Sequence, residues 1–409
     1  MATYDGQRAV VIGGSVGGLT AALLLRDLGF TVDVYERAAQ PLEGRGGGII
    51  VQPETLRWFR ERSSRRPDTL STSGQFVRYL GSDNQVVYQE TKHWAFTSWS
   101  AIYGALLADF DTRRYHLGHT LSGLRQDAET VEVQFADRTA TEADLVVCAD
   151  GISSTARRLL LPQVERRYAN YVGWRGMVLE NTVSTSTLEL LGDALTYSTS
   201  DRSHMIIYPI PGPGLALSPG ERWLNYVWYR NVSEGADLDD LLTDPSGVRS
   251  DVSVPPGHVQ DRFVDELRQA APLMLAPAAA EVVLATAQPY IQPIFDITIP
   301  QMAFGRIALI GDAAFVARPH PAAGTAKAAE DGWTLSSALD INFPNIAEAL
   351  AKWEIPQLEL GTRLVNRAAQ MGDRSQSDNT WIPGDSNLDF GLYGPTPTSP
   401  APHERNTDG

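Results

Sequence analysis

The chain has 409 residues, with 34 Lys and Arg against 49 Asp and Glu and a formal net charge of −15. Such acidity argues against nucleic acid and anionic membrane surfaces as partners, because a polyanion is repelled. The single cysteine, Cys148, excludes an intramolecular disulfide and a cysteine-rich metal site, and the seven histidines show no metal-binding spacing. With no apolar run of membrane-spanning length, we expect a cytoplasmic, metal-free protein that acts on small molecules.

The first motif is a strand, a glycine-rich turn, a helix and a second strand. Residues 9–12 form an apolar run, four glycines lie within 13–18, and Leu and Ala then recur at helical spacing. The second strand ends at Glu36. Glycine lets the backbone approach a pyrophosphate, a helix N-terminus attracts negative charge, and the acid accepts a ribose hydroxyl. This predicts a dinucleotide-binding unit, although Ser15 replaces the middle glycine of the GxGxxG pattern and an ordinary βαβ turn is the alternative.

A second glycine cluster follows at residues 44–48, with Arg45 inside it. Such a loop either lies against a cofactor ring or is a surface turn. Alternating residues then predict a hairpin over 75–89, and a helix is predicted over 99–110.

The second motif follows a strand predicted over residues 143–149. Asp150 and Gly151 come directly after it, where the ligands of open α/β sheets bind. An acid at this place is equally typical of a helix cap, so both interpretations stay open.

The middle of the chain, about residues 168–284, contains strands rich in Trp and Tyr. In the strand around 223–229 both faces are largely apolar, so one face can pack on its own sheet while the other lines a cavity. We expect an aromatic pocket where this sheet meets the nucleotide-binding unit. Core packing is the alternative role for each of these aromatic side chains.

The third motif begins at a buried strand over residues 307–310, followed by Gly311 and Asp312. A loop with Pro319 and Gly324 then leads into a helix predicted over 325–339. The loop is expected to direct the helix N-terminus towards a ligand, where the helix dipole favours negative charge.

In this order the three motifs resemble those of the single-component FAD-dependent aromatic hydroxylases, over about residues 9–353. Within the family the chain is most similar to hydroxylases of pyridine rings. The resemblance implies an α/β fold with an α+β substrate lobe, in which a Rossmann-like FAD-binding domain carries an inserted mixed β-sheet. The implied boundaries are 1–74, 98–165 and 285–345 for the FAD-binding domain, 75–97 and 166–284 for the substrate domain, 346–382 for a C-terminal helical segment and 383–409 for a loose tail.

The resemblance also implies which residues bind FAD. Glu36 would bind the adenosine ribose and Asp312 the ribityl chain. The chain departs from the family at two positions. The family often has Arg where this chain has Trp99, and His where this chain has Phe315. The implied cofactor-binding residues are Gly13, Gly14, Ser15, Val16, Gly18, Glu36, Arg37, Arg45, Leu121, Asp150, Gly151, Gly311, Asp312, Ala322, Ala323, Gly324 and Thr325.

The implied reaction is the hydroxylation of an electron-rich hydroxylated ring, most simply a hydroxypyridine. NAD(P)H would bind transiently and reduce FAD, and O₂ would then give a flavin C4a-hydroperoxide that transfers one oxygen atom. His320 is the candidate acid/base group, because imidazole titrates in the useful range, and Tyr208 is a second catalytic candidate. His204, Tyr226 and Trp228 are candidate substrate-binding residues. The expected partners are a small aromatic substrate, O₂ and, in a homodimer, a second copy of the chain.

Other functions stay open at this point. A tailoring hydroxylase of a larger hydroxypyridine or phenol would share the chemistry, and a non-catalytic FAD-binding redox sensor would share the fold alone. A flavin-dependent halogenase shares the first motif, but the Trp-x-Trp-x-Ile-Pro segment typical of that group is absent from the sequence.

Overall fold

The computed structural model describes residues 3–42 and 47–395. Its strands are β1 (Arg8–Ile12), β2 (Thr31–Glu36), β3 (Gly48–Ile50), β4 (Thr72–Leu80), β5 (Val86–Ser98), β6 (Tyr115–Leu117), β7 (Leu121–Gln126), β8 (Val131–Phe135), β9 (Ala140–Ala143), β10 (Leu145–Cys148), β11 (Arg167–Leu179), β12 (Ala194–Ser200), β13 (Ser203–Ile210), β14 (Trp223–Asn231), β15 (Tyr290–Asp296), β16 (Ala303–Phe304) and β17 (Ile307–Leu309). Its α-helices are α1 (Val16–Asp27), α2 (Arg57–Glu61), α3 (Trp99–Asp109), α4 (Thr155–Leu160), α5 (Thr185–Leu191), α6 (Ala236–Leu241), α7 (Asp261–Met274), α8 (Pro277–Ala285), α9 (Gly324–Ile341) and α10 (Ile346–Gln376).

The first sheet has six strands in the order β16-β17-β10-β1-β2-β6. Adjacent strands in this sheet are parallel, except that β16 is antiparallel to β17. The central strands β1 and β10 are apolar and buried, as expected where helices cover both faces of a parallel sheet. Because the strands are parallel, the carboxyl ends of β1, β10 and β17 meet at one edge, where the three sequence motifs therefore come together.

The second sheet has eight strands in the order β15-β11-β14-β13-β12-β4-β5-β3. Adjacent strands in this sheet are antiparallel, except for the parallel pair β12 and β4. One face packs on α7 and α8 in an apolar core that includes Leu267, Ala271 and Val282. The other face carries aromatic side chains such as Tyr208 and Tyr229.

The architecture confirms the predicted fold class, an α/β protein in which a Rossmann-like parallel sheet is joined to a mixed sheet in a second lobe. A small antiparallel sheet, β7-β8-β9, lies in the part of the chain between β6 and β10. The strands β3 and β15 pair within the eight-stranded sheet, whereas the predicted boundaries assign their residues to the FAD-binding domain.

The segment after α10 packs against the eight-stranded sheet. Trp381 and Phe390 lie against its aromatic face, and Leu388 and Leu392 are buried. The prediction of a loose tail was therefore wrong for residues 383–395, because Leu388 and Phe390 cover the sheet and Leu392 packs against α9 and α10. Residues 396–409 lie outside the described part of the chain. None of the helices in the described ranges combines the length and hydrophobicity that a membrane crossing requires.

Candidate active site

The turn between β1 and α1 admits only glycine at two positions. Gly13 has a φ of +98°, and a Cβ there would collide with the carbonyl oxygen of Ala149. A Cβ at Gly18 would collide with the carbonyl oxygen of Gly13. The backbone of the turn is thus packed tightly against β10 and α1, which leaves the first N–H groups of the helix directed at the carboxyl edge of the sheet.

Glu36 lies at the end of β2, beside this turn. Its carboxylate accepts hydrogen bonds from the backbone N–H groups of Gly14 and Ala38, each at 2.9 Å. These bonds fix an acid next to the glycine-rich turn, in the arrangement that a bound nucleotide ribose requires.

Asp150, in the second motif, acts as a helix cap. Its carboxylate accepts hydrogen bonds from the backbone N–H groups of Thr155 (2.7 Å) and Ala156 (3.1 Å) at the start of α4. Its neighbour Gly151, with a φ of +76°, lines the cavity described next. Of the two interpretations of this acid, the structure therefore supports the cap.

A cavity of about 480 Å³ lies between the carboxyl edge of the six-stranded sheet and the aromatic face of the eight-stranded sheet. The predicted residues that line it are Ser15, Val16, Gly151, His204, Tyr208, Gly311, Asp312, His320, Ala322, Ala323, Gly324 and Thr325. Those that do not line it are Gly13, Gly14, Gly18, Glu36, Arg37, Leu121, Asp150, Tyr226 and Trp228. Arg45 lies outside the described residues.

Asp312 is the only acidic residue among the described residues that line the cavity. Its backbone carbonyl accepts a hydrogen bond from Arg157. Burial raises the pKa of the Asp312 carboxyl to about 6, against the opposing charge of Arg157. A ligand hydroxyl that donates to this carboxylate would favour its ionised form.

Two buried histidines lie side by side at the cavity, with ring centroids 5.4 Å apart. His204 Nδ1 is hydrogen bonded to Ser375 Oγ, and His320 Nε2 lies 2.7 Å from the Tyr171 hydroxyl. Burial lowers the pKa of His204 to about 3. Burial, together with the neighbouring His204 ring and the charge of Arg318, also holds the pKa of His320 well below its ordinary value. The direction of both pKa shifts favours neutral rings near neutral pH, against the expectation that His320 titrates there.

Tyr208 lies on β13, with its ring stacked on Phe96 at a centroid distance of 5.0 Å. Burial raises the pKa of the Tyr208 phenol above its ordinary value, so the group is neutral at physiological pH. It can donate or accept a hydrogen bond at the cavity, but it is no source of charge.

The prediction that Tyr226 and Trp228 wall the cavity was wrong. Both point to the opposite face of β14, where they are fully buried in the core against α7 and α8. Trp228 Nε1 donates there to Ser203 Oγ at 2.9 Å. Successive side chains of a strand alternate between the two faces, so Val227 and Tyr229 line the cavity instead.

Several lining residues were not predicted, among them Arg175, Tyr290 and Trp381. The available signal for Arg175 was a single cation within the otherwise uncharged run 171–176. Of the two departures from the family, Trp99 lines the cavity and stacks on Tyr103 at 5.0 Å, whereas Phe315 lies outside it, packed against α10.

The residues at this edge of the sheet fit FAD. A turn that only glycine can form, the N-terminus of α1 and the carboxylate of Glu36 suit a pyrophosphate and its ribose. Asp312 adds an acceptor within the cavity, beside the N-terminus of α9. Within residues 3–42 and 47–395, no group of three or more His, Cys, Asp and Glu is arranged to hold a metal ion.

The chain is similar to known flavin enzymes over almost its whole length. A family model described as FAD binding domain-like matches residues 168–296. The 2,6-dihydroxypyridine 3-monooxygenase of Paenarthrobacter nicotinovorans is 40% identical over 386 residues, which cover 94% of this chain and 96% of the relative. The 6-hydroxynicotinate 3-monooxygenase of Pseudomonas fluorescens is 26% identical, over 92% of this chain and 91% of the relative.

A solved structure agrees with this likeness. The 2,6-dihydroxypyridine-3-hydroxylase from Arthrobacter nicotinovorans superposes with a TM-score of 0.90 at 39% identity, over 97% of this chain and 99% of that chain. With this identity and shared architecture, the chain belongs to the single-component FAD-dependent aromatic hydroxylases, which are flavoprotein monooxygenases.

Proposed function

We propose that this protein is a hydroxypyridine hydroxylase, which uses FAD, NAD(P)H and O₂ to add one oxygen atom to an electron-rich ring, with 2,6-dihydroxypyridine as the first candidate substrate. Both relatives named above act on hydroxylated pyridine rings, according to their names. The observation that carries the proposal is the cavity itself, in which the predicted flavin-binding motifs face a floor of aromatic side chains.

The side chains that line the cavity beside His204 and His320 favour a substrate with a single ring. Trp381 stacks on His204 at a centroid distance of 4.5 Å, and its indole N–H donates to the Tyr79 hydroxyl. Phe390 closes the same side. Together these side chains limit the space beside the histidines, which disfavours the larger natural products that a tailoring hydroxylase would take.

The proposed roles of the chain's own residues follow from their positions. The turn at Gly13 and Gly18 and the N-terminus of α1 would hold the pyrophosphate, Glu36 the ribose and Asp312 the ribityl chain. When bound, the flavin supplies the activation of O₂ and the transfer of one oxygen atom, with electrons from NAD(P)H. The walls of the cavity would exclude water and hold the ring in place.

His320 is proposed to position a ring hydroxyl. Its Nδ1 has no hydrogen-bond partner among the described residues, while Nε2 is engaged by Tyr171. In the tautomer whose Nε2–H donates to the Tyr171 oxygen, Nδ1 would accept a hydrogen bond from a ring hydroxyl. Because its pKa is held so low, the imidazole accepts a hydrogen bond here and does not retain a proton.

The test is NAD(P)H consumption with product analysis on the purified, FAD-containing protein. We expect 2,6-dihydroxypyridine to accelerate NAD(P)H oxidation and to gain a single oxygen atom, and phenols and two-ring compounds to do so less. Preference for a two-ring compound would favour the tailoring hydroxylase. If FAD is bound but no compound accelerates its reduction, the redox sensor is favoured. If no FAD is bound, the proposal is contradicted.

A further inference from the structure

Arg175 lies in a row of side chains that crosses the eight-stranded sheet beneath the cavity. The strand registers pair Arg175 with Tyr290 of β15 and with Val227 of β14, and Val227 in turn with Ile206 of β13. All four side chains line the cavity. Arg175 is the only Arg or Lys among the described lining residues, so the cavity holds one cation on an otherwise uncharged floor.

Arg175 forms no ion pair with a carboxylate among the described residues, and its polar neighbours are phenols, of which Tyr290 is hydrogen bonded to the guanidinium. Its Nε has no hydrogen-bond partner within the described ranges. Burial lowers the pKa of the guanidinium, but the phenol oxygens of Tyr290, Tyr229 and Tyr208 outweigh that effect, and the pKa stays above its ordinary value. Burial also raises the pKa of Tyr229 to about 12, and that of Tyr208 likewise, so these two phenols are neutral. The guanidinium is thus fully charged beside the neutral phenols of Tyr229 and Tyr208.

A desolvated cation without a counter-ion is costly, and a bound anion offsets that cost. Guanidinium groups also match oxygen anions in geometry and stack on flat ligands. The two histidines that line the cavity, His204 and His320, are neutral and can neither supply positive charge nor keep a proton taken from a ligand. The chemistry of the site therefore calls for a ligand that brings its own negative charge.

We infer that Arg175 binds an ionised oxygen of the substrate, so that the cavity selects hydroxylated rings in their anionic form. The inference rests on the proposed function, because it concerns the substrate of the same cavity. A cation within about 4–6 Å of an ionisable group stabilises its charged form by roughly 1–3 pKa units. An ionised ring is also richer in electrons, which is the property that hydroxylation needs.

The experiment compares Arg175→Met, Arg175→Lys and a matched control, Arg125→Met, which removes an exposed arginine outside the cavity. For each FAD-loaded protein, the Kd of 2,6-dihydroxypyridine is measured anaerobically over a pH series from the change in flavin absorbance. The neutral 2,6-dimethoxypyridine, which cannot ionise, is the comparison ligand. We expect Arg175→Met to weaken binding of the hydroxypyridine by roughly 10- to 100-fold, because a charge-assisted hydrogen bond is lost.

The same variant is expected to leave the Kd of the dimethoxy compound nearly unchanged and to shift the apparent pKa of the bound hydroxypyridine upwards. Arg175→Lys should regain part of the affinity and the preference for the anion, and Arg125→Met should match the wild type. The lysine variant keeps the test decisive if the methionine variant does not fold.

Either of two results with Arg175→Met would overturn the inference and leave the proposed function standing. One is an unchanged hydroxypyridine Kd; the other is a loss of FAD affinity with substrate binding intact, which would assign the cation to the cofactor. A wild-type protein that hydroxylates a hydroxypyridine but binds the dimethoxy compound equally well would also contradict it. A wild-type protein that binds no hydroxypyridine would instead overturn the proposed function together with this inference.

Discussion

His204 and His320 show how burial decides the chemistry of a single residue. Each ring has a pKa below its ordinary value in the folded protein, because the surrounding apolar side chains disfavour the charged form. The unfolded chain binds these two protons near pH 6.5, and the folded protein does not. Stability is therefore highest above pH 6.5 and is lost as the pH falls towards the folded pKa values.

We predict that the free energy of unfolding falls below pH 6.5 by about 1.4 kcal/mol per pH unit for each of the two histidines. His204→Asn, which removes one titrating ring but keeps an acceptor near Ser375, should reduce this slope. Urea denaturation over pH 4.5–7.5 measures it. The control His93→Asn replaces an exposed histidine and should keep the wild-type slope. Equal slopes in the two variants would show that burial of His204 does not control the acid response.

At the scale of elements, the turn between β1 and α1 depends on backbone contact more than on side chains. A Cβ at Gly18 has no space because the carbonyl of Gly13 occupies it. The close contact sets the direction in which α1 leaves the sheet, and hence the position of its first N–H groups.

We predict that Gly18→Ala lowers the FAD content of the purified protein at least tenfold, because the turn must open to admit the methyl group. The ratio of flavin to protein absorbance measures this loss. Gly104→Ala is the matched control, since Gly104 lies in α3 with no atom within 4 Å of the added Cβ, and alanine there should stabilise the helix by about 0.5–1 kcal/mol. Full flavin content in Gly18→Ala would contradict the role proposed for the turn.

At the scale of the whole molecule, the cavity draws on distant parts of the chain. The six-stranded sheet supplies the motif loops, the eight-stranded sheet the aromatic floor and the segment after α10 one wall. Trp381 connects the segment after α10 to the eight-stranded sheet, because it stacks on His204 of β13 and donates a hydrogen bond to Tyr79 of β4.

We predict that Trp381→Ala widens the site beside His204, raises the KM for 2,6-dihydroxypyridine several-fold and permits hydroxylation of two-ring hydroxyquinolines. Steady-state kinetics with both ligand classes check this. Ile382→Ala changes the neighbouring exposed side chain and should have wild-type kinetics. A Trp381→Ala enzyme with unchanged selectivity would show that this wall does not limit substrate size.

The sequence predicts best what is encoded locally. The turn at Gly13 and Gly18 is recognisable because strand, glycines and helix are adjacent in the chain. The orientation of β14 could not be predicted from the sequence, because a strand that is apolar on both faces gives no sign of whether Trp228 or Tyr229 faces the cavity. Arg175 is harder still, because its position depends on the register of strands that are far apart in sequence. The pKa of His320 depends on all the groups packed around it.

The wall formed by Trp381 and Phe390 lies after every strand of both sheets in the chain. During synthesis the sheets and the glycine turn are therefore produced while the site is still open on that side. The wall is thus the last part of the site to be synthesised, and the cavity is complete only when this segment has docked on the eight-stranded sheet.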